Sequence, residues 1–257
     1  MMFVMDNVSE SPGISLVLDG PRSRRPARLG TVVLEELAHR IIGGAWPEAS
    51  VLPTEPSLCE QFGFSRTVIR DGLKLLEERG LVRVEQGRGT TVQPRTVWNM
   101  LDPLVIRIAL AYDTDRSLLD NLVTVRRVLE QEMARAAASR LTKDELASLA
   151  ENLEQMATAY DDYDRFRAFD LAFHAIVMGG SGNEVGLTIV RTIHAHGGIT
   201  PLLSSGSSRA ALKRTTADHR AIYDALLARD GDLAGELISA HIASAWAERK
   251  RRRHIEA

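Results

Sequence analysis

The chain has 257 residues, of which 44% are hydrophobic and 26% charged, which predicts a globular protein with enough apolar material for a core. Its formal net charge of −2 excludes a protein that coats nucleic acid through overall positive charge. A single cysteine, Cys59, excludes an intrachain disulfide framework and favours a reducing compartment. We see neither a signal peptide nor an apolar run long enough to cross a bilayer, so we expect a cytoplasmic protein without membrane contact.

The first part of the chain predicts a flexible arm followed by a helix. Residues 1–27 mix Ser, Pro, Gly and Arg without sustained periodicity, as flexible arms do. From Leu29 onward, Val33, Leu37 and Ile41 recur at helical spacing and predict an amphipathic helix.

Two further short helices are predicted around a tight turn at Gly63. The first runs through Leu58 and Phe62. Ser65 is a suitable N-cap for the second, and Gly80 is a suitable stop. Within this second helix the apolar side chains share one face and Arg66, Arg70 and Lys74 occupy another.

The segment LVRVEQGRGTTVQP alternates apolar and polar residues on both sides of a glycine-rich turn, which predicts a β-hairpin. The order of helices, tight turn, helix and hairpin is typical of a winged helix-turn-helix, which places its third helix in the DNA major groove. The alternative is a solvated charged helix face without DNA contact. The helix order and the hairpin favour DNA binding, and we assign residues 28–95 to this domain.

Residues 96–252 predict helices only, seven of them joined by short loops, with a tail at 253–257. Thr142 and Glu145 have the spacing of a capping box. The predicted fold class is mainly α, with an N-terminal winged helix-turn-helix (α+β) followed by an all-α bundle that binds an effector and dimerises.

The segment LPTEPSLCEQFGFSRTVIRDGLKLLEERGLVRVEQGRGTTVQP resembles the signature of the GntR family of bacterial transcription regulators. The family pattern there is Pro-Ser-Glu-x-x-Leu-Ala, a Val-Ser-Arg-x-x-Val-Arg helix, then Gly-Leu-Val and a Gly-Thr wing. Together with the charged helix face, this resemblance implies the DNA-contacting residues Ser65, Arg66, Thr67, Arg70, Lys74, Arg88, Gly89 and Thr90. One departure stands at Pro56, where the family often has arginine, so one usual DNA contact is expected to be missing.

Residues from about Leu101 to Trp246 resemble the FCD ligand-binding domain of the FadR-like branch of the same family. VRRVLEQEMARAAASR is similar to its opening helix, and FDLAFHAIVMGGSGNE to its Asp-x-x-x-His segment and Ser-Gly-Asn turn. ADHRAIYDALLARDGDLA is similar to its second histidine-bearing helix.

Four residues of this block form the predicted metal site. Asp170 and His174 are one helical turn apart, so both project from one face, and His219 lies on another helix. His196 or His194 supplies a third imidazole, and we choose His196 because its position, almost midway between the other two histidines, agrees with the even spacing that the resemblance implies. Three imidazoles and one carboxylate suit Zn, Ni, Mn or Fe(II), and we expect Zn. The alternative is that these histidines are ordinary core residues.

The resemblance implies a small organic acid as effector, of the sugar-acid or hydroxy-carboxylate class, held at the metal. Arg126 and Asn183 are further candidate effector contacts, and the alternative for Arg126 is an ion-pairing residue on the helix surface. We expect a transcription regulator, a repressor that acts as a homodimer on a palindromic double-stranded operator. The alternative, a metal-dependent enzyme, lacks a recognisable base motif such as His-Glu-x-x-His and gives no reason for a winged helix.

Overall fold

The computed structural model describes residues 24–196 and 208–255, apart from the side chains of 24–29, 196 and 252–255. The predicted arm, up to residue 23, and the segment 197–207 lie outside the described residues.

The N-terminal domain consists of α1 (Arg24–Ile42), α2 (Glu55–Phe62), α3 (Arg66–Glu78), β1 (Val82–Glu85) and β2 (Gly89–Val92). Helix α1 begins at Arg24, earlier than the sequence pattern predicted.

Local hydrogen bonds define the ends of α2 and α3. Thr54 caps α2 by accepting a hydrogen bond from the Ser57 amide, and Ser65 caps α3 by accepting one from Val68. Gly63 ends α2 with a positive φ of 70°, a conformation that costs an L-residue energy. The predicted turn between the two helices is therefore present.

The wing is an antiparallel hairpin in which Val82 pairs with Val92 and Glu85 with Gly89. Gly87 and Gly89 at its tip have positive φ, so the sharp turn requires glycine there. The preceding loop adds a bridge from Val51 to Thr91, which extends the pairing beyond the two strands.

The helical domain consists of α4 (Pro103–Ala111), α5 (Ser117–Arg140), α6 (Lys143–Thr158), α7 (Tyr163–Gly180), α8 (Glu184–His196), α9 (Arg209–Leu227) and α10 (Gly231–Ile255). Its apolar core is built around fully buried side chains such as Phe173, Leu149 and Ile222. The predicted capping box is present, with Thr142 and Glu145 bonded in both directions. The predicted fold class is confirmed.

Helix α4 belongs to both hydrophobic cores. Val105 and Ile108 are buried in the core of the winged helix, whereas Ile106 and Leu110 are buried in the core of the bundle. Trp98 in the connecting segment is also buried against the winged helix. Apolar packing of the N-terminal domain therefore continues past the predicted boundary at residue 95.

Candidate DNA-binding surface and metal centre

The third helix presents its predicted cationic face to solvent. Arg66, Thr67, Arg70 and Lys74 are all exposed. The opposite face is buried against α1 so closely that a Cβ at Gly72 would lie 2.5 Å from Val33 Cγ1. This packing holds α3 in place with its charged side chains available to a partner.

Arg70 is held in an ion pair. Its Nε lies 2.8 Å from Glu55 Oε2 and 3.0 Å from Glu55 Oε1. Glu55 is the first residue of α2, directly before Pro56. Binding to DNA through the Nε edge of Arg70 would therefore displace an existing carboxylate partner.

The wing residues are placed differently from one another. Arg88 and Gly89 are exposed at the hairpin tip. Thr90 is only 9% exposed, and its backbone oxygen accepts a hydrogen bond from Leu52. The Thr90 side chain thus packs beneath the wing, while Arg88 is the cation at its tip.

In the bundle, α7, α9 and α10 bring together a compact set of metal-ligating side chains. Asp170, His174, His219 and His241 each offer one ligand atom, and these atoms lie within 4.8 Å of one another. The three imidazoles are buried, and the carboxylate of Asp170 is partly exposed. Three of these four residues are those predicted from the sequence; His241 is new.

The donor set fits a divalent cation. The Nε2 atoms of His219 and His241 are 3.2 Å apart, and His219 Nε2 is 3.6 Å from Asp170 Oδ1. Two nitrogens bound to one Zn ion at ordinary bond lengths lie about 3–3.4 Å apart. The distances are therefore those expected of neighbouring ligands of a single ion.

A second layer of contacts orients the imidazoles. His174 Nδ1 lies 2.6 Å from Oε2 of the fully buried Glu130, and His241 Nδ1 lies 3.2 Å from Asp218 Oδ2. Phe173 stacks on His219 with ring centroids 4.2 Å apart. Carboxylates that accept from Nδ1–H leave Nε2 free to bind metal, so His174 and His241 present their Nε2 atoms to the centre.

Of the two candidates on α8, His194 is not a member of this cluster. The His194 Nε2 atom is buried, lies 3.4 Å from Glu130 Oε1 and makes no hydrogen bond within the described part of the chain. Burial lowers the pKa of His194 to about 4, and the nearby Arg126 acts in the same direction. His196 is the last residue of α8, and its side chain lies outside the described residues.

A cavity of about 410 Å³ adjoins the cluster. Asp170 and His194 line it together with five arginines of the described chain, among them Arg126 and Arg249. Arg126 also forms an ion pair with Glu130, at 2.8 Å. Asn183 is not among the lining residues; its side chain caps α8 by accepting a hydrogen bond from the Gly186 amide.

Electrostatics keep the carboxylates of the centre ionised. Burial by itself raises the pKa of Asp170, but His219, His174 and His241 outweigh it and lower that pKa to about 2. Burial likewise opposes ionisation of Glu130, and Arg126 overcomes it, so that its pKa lies well below the usual range. An anionic Asp170 is the form that binds a cation.

The winged helix-turn-helix is a DNA-binding fold, and the helical domain holds the metal-ligating cluster beside a cavity. Family models match both parts: "Bacterial regulatory proteins, gntR family" over residues 29–92 and "FCD domain" over residues 121–244. The chain is 31% identical to the galactonate operon transcriptional repressor of Escherichia coli over 208 residues, 81% of this chain and 91% of that protein. The chain therefore belongs to the GntR family of bacterial regulators and carries an FCD domain, as the resemblance implied.

Other relatives are also regulators. The Glc operon transcriptional activator of Escherichia coli is 29% identical, over 85% of this chain and 87% of its own length. A solved structure titled for Lar, which controls the agr system of Listeria monocytogenes, superposes with a TM-score of 0.57 at 18% identity, covering 87% of this chain and 97% of that one. This last likeness shows the shared fold.

The chain is a transcription regulator and not an enzyme, because its two domains are of DNA-binding and FCD type and its relatives are named as regulators. Among the described helices, none is both long and apolar enough to cross a membrane.

Proposed function

We propose that this protein is a repressor whose binding to a DNA operator is modulated by a small organic acid. The acid binds at a divalent metal ion in the helical domain. The observation that carries the proposal is the cavity in which Asp170 of the metal-ligating cluster and the cations Arg126 and Arg249 face the same space. A metal ion beside arginines suits an anion with further oxygen donors, such as a hydroxy-carboxylate.

The names of relatives support the choice of a sugar acid. One relative is named for the galactonate operon and is a repressor. Another is named as an activator, so the repressor role proposed here follows the relative with the higher identity of the two. Aldonates of about six carbons are well within a volume of 410 Å³.

In this site, side chains of the protein bind the metal ion, and other side chains orient the imidazole rings. Asp170, His174, His219 and His241 bind the metal, which we propose to be Zn, and the metal supplies a Lewis-acidic centre for oxygen donors. Glu130 and Asp218 fix two of the imidazole rings. The metal would tie α7, α9 and α10 together, so its binding stabilises the folded domain by mass action.

On the DNA side we propose that α3 enters the major groove with Arg66, Thr67 and Arg70, while Arg88 contacts the backbone from the wing. One winged helix covers little DNA, and two-fold dimers that read inverted half-sites solve this problem. We therefore propose a homodimer formed through the helical domain and a palindromic operator.

The proposed DNA binding is tested by selecting the duplexes that the protein binds from a pool of random sequences. We expect an inverted repeat, and light scattering that gives a dimer alone and on DNA. Arg66→Ala should weaken binding to the selected site by about 1–3 kcal/mol, because an arginine fork that pairs with guanine contributes about that much. The exposed Arg220→Ala, on α9, is the matched control. Equal affinity of Arg66→Ala and wild type would contradict the assignment of α3.

The proposed effector binding is tested with Zn-loaded protein and the same operator. Aldonates and other hydroxy-carboxylates are screened by thermal shift, and each acid that raises the melting temperature is then tested for release of DNA in gel shifts. We expect an aldonate to do both. If no acid in the panel binds, or if protein purified without chelators contains no metal, the proposed effector site is wrong.

A further inference from the structure

Arg249 is a cation of the cavity wall that the sequence pattern did not single out. It lies on α10, two turns after His241, and is partly buried. It lines the cavity with Asp170 and Tyr163. An arginine remains charged even when partly buried, so this part of the wall carries a fixed positive charge.

Arg126, Arg214 and Arg251 also line the cavity, and they differ from Arg249 in forming ion pairs. Arg126 pairs with Glu130 at 2.8 Å, and Arg214 and Arg251 both contact Glu248. Among the described residues, the Arg249 guanidinium forms no ion pair with a carboxylate within 4.0 Å. Its charge is therefore less fully compensated than theirs.

The groups around Arg249 also affect how its positive charge is compensated. Burial lowers the pKa of Arg249, and Arg126 lowers it further, while Asp170 and the hydroxyl of Tyr163 favour the charged form. Asp170 is thus the acidic group that offsets Arg249 across the cavity. A divalent ion bound to Asp170 would use that negative charge, and Arg249 would then face a positive centre.

We propose that Arg249 binds the carboxylate of the effector, so that the site selects an organic acid over the neutral sugar or alditol of the same shape. This inference rests on the proposed function, since it assigns a contact within the same effector site. The carboxylate of the effector neutralises the positive charge of Arg249, which Asp170 no longer offsets once it binds the metal. The bidentate geometry of a guanidinium suits a carboxylate, whereas a hydroxyl group offers no charge to match.

The assignment predicts opposite effects on the two ligands. Because Arg249 repels a cation at Asp170, its neutral replacement should leave Zn binding unchanged or make it tighter when no acid is present. The same replacement removes a charge-assisted hydrogen bond to the acid, which is worth about a ten- to one-hundred-fold loss of affinity. A residue with a purely structural role would weaken both.

The experiment compares wild type, Arg249→Gln, Arg249→Lys and the control Arg220→Gln, whose side chain is exposed on α9. Zn affinity is measured by competition with a chromophoric chelator. Binding of D-galactonate, D-gluconate and the neutral galactitol to Zn-loaded protein is measured by calorimetry. We expect wild type and Arg220→Gln to bind at least one acid and not galactitol. Arg249→Gln should bind Zn as well as wild type and that acid at least about tenfold more weakly, and Arg249→Lys should recover part of the loss.

The outcomes separate the two proposals. If wild type binds no acid, the proposed effector class is wrong, and the role of Arg249 fails with it. If wild type binds an acid and Arg249→Gln binds it equally well, only the assignment of Arg249 is overturned. Loss of Zn and acid together in both Arg249 variants would also overturn it, because that result marks a structural residue.

Discussion

At the scale of single residues, the candidate metal centre depends on which imidazoles face one another. His219 and His241 have their Nε2 atoms 3.2 Å apart, and Glu130 and Asp218 bond to Nδ1 of two of the rings. Fixed rotamers and tautomers reduce the cost of assembling ligands around an ion. The residues behind the ligands should therefore matter almost as much as the ligands themselves.

His241→Ala should lose the bound metal, because it removes one of four ligand atoms from the cluster. His196→Ala should keep it, since the cluster is already complete with His241. Metal content after gel filtration, measured by atomic absorption, distinguishes the two. Metal retained in His241→Ala and lost in His196→Ala would restore the ligand set that the sequence predicted.

Glu130→Gln should weaken metal binding about 10–100-fold, although this side chain is not itself a ligand. The substitution removes the charge that holds His174 Nδ1–H and leaves Arg126 without its buried partner. Glu132→Gln is the control, because its exposed side chain lies on the same helix and points away from the centre. Competition with a chelator measures both affinities, and similar values for the two variants would argue against the role of Glu130.

At the scale of elements, the junction between α3, the wing and the connecting segment is tightly packed. The Asn99 amide donates to the carbonyl of Arg79, and Arg79 pairs with Asp102 at 3.1 Å. Asp102 in turn caps α4. The end of α3 is thus connected directly to α4, the helix that belongs to both cores.

Gly80→Ala should destabilise the protein more than Gly63→Ala. Both glycines have positive φ, 72° and 70°, so both substitutions incur the left-handed strain of about 1–2 kcal/mol. A Cβ at Gly80 would also lie 2.4 Å from the carbonyl oxygen of Val97, whereas nothing lies within 4 Å of one at Gly63. We expect an additional loss of about 1–3 kcal/mol from this clash, measured by urea unfolding. Equal losses would mean that the connecting segment can move away freely.

At the scale of the whole molecule, burial of histidines makes stability depend on pH. Burial lowers the pKa of His194 to about 4 and, together with the neighbouring His241, lowers the pKa of His219 as well. In the unfolded chain a histidine takes up its proton near pH 6.5. Between these pH values the unfolded state binds more protons than the folded state.

The free energy of unfolding of metal-free protein should therefore fall as the pH falls from about 6.5 to about 4, by up to about 1.4 kcal/mol per pH unit for each such histidine. Urea titrations at pH 7.5, 6.5 and 5.5 measure the slope. His194→Gln should reduce it, because one of the groups that gain a proton on unfolding is absent. An unchanged slope in this variant would show that His194 is protonated in the folded state.

The sequence by itself determined the order of elements, the caps at Ser65 and Thr142, the glycine-tipped wing and the cationic face of α3. These features depend on hydrogen bonds and periodicities within a few neighbouring residues. It also placed Asp170 and His174 on one face, because they are one turn apart on a single helix.

Only the tertiary structure brought His241, Glu130 and Arg249 to the centre. They lie on α5 and α10, and the distance between two helices in space is not encoded in their separation along the chain. Spacing alone did not single out His241: it follows His219 at an interval like the one that favoured His196, and it lies on a buried stripe with Ile238 and Ile242. Helix packing, which depends on every apolar face at once, places the His241 imidazole near Asp170.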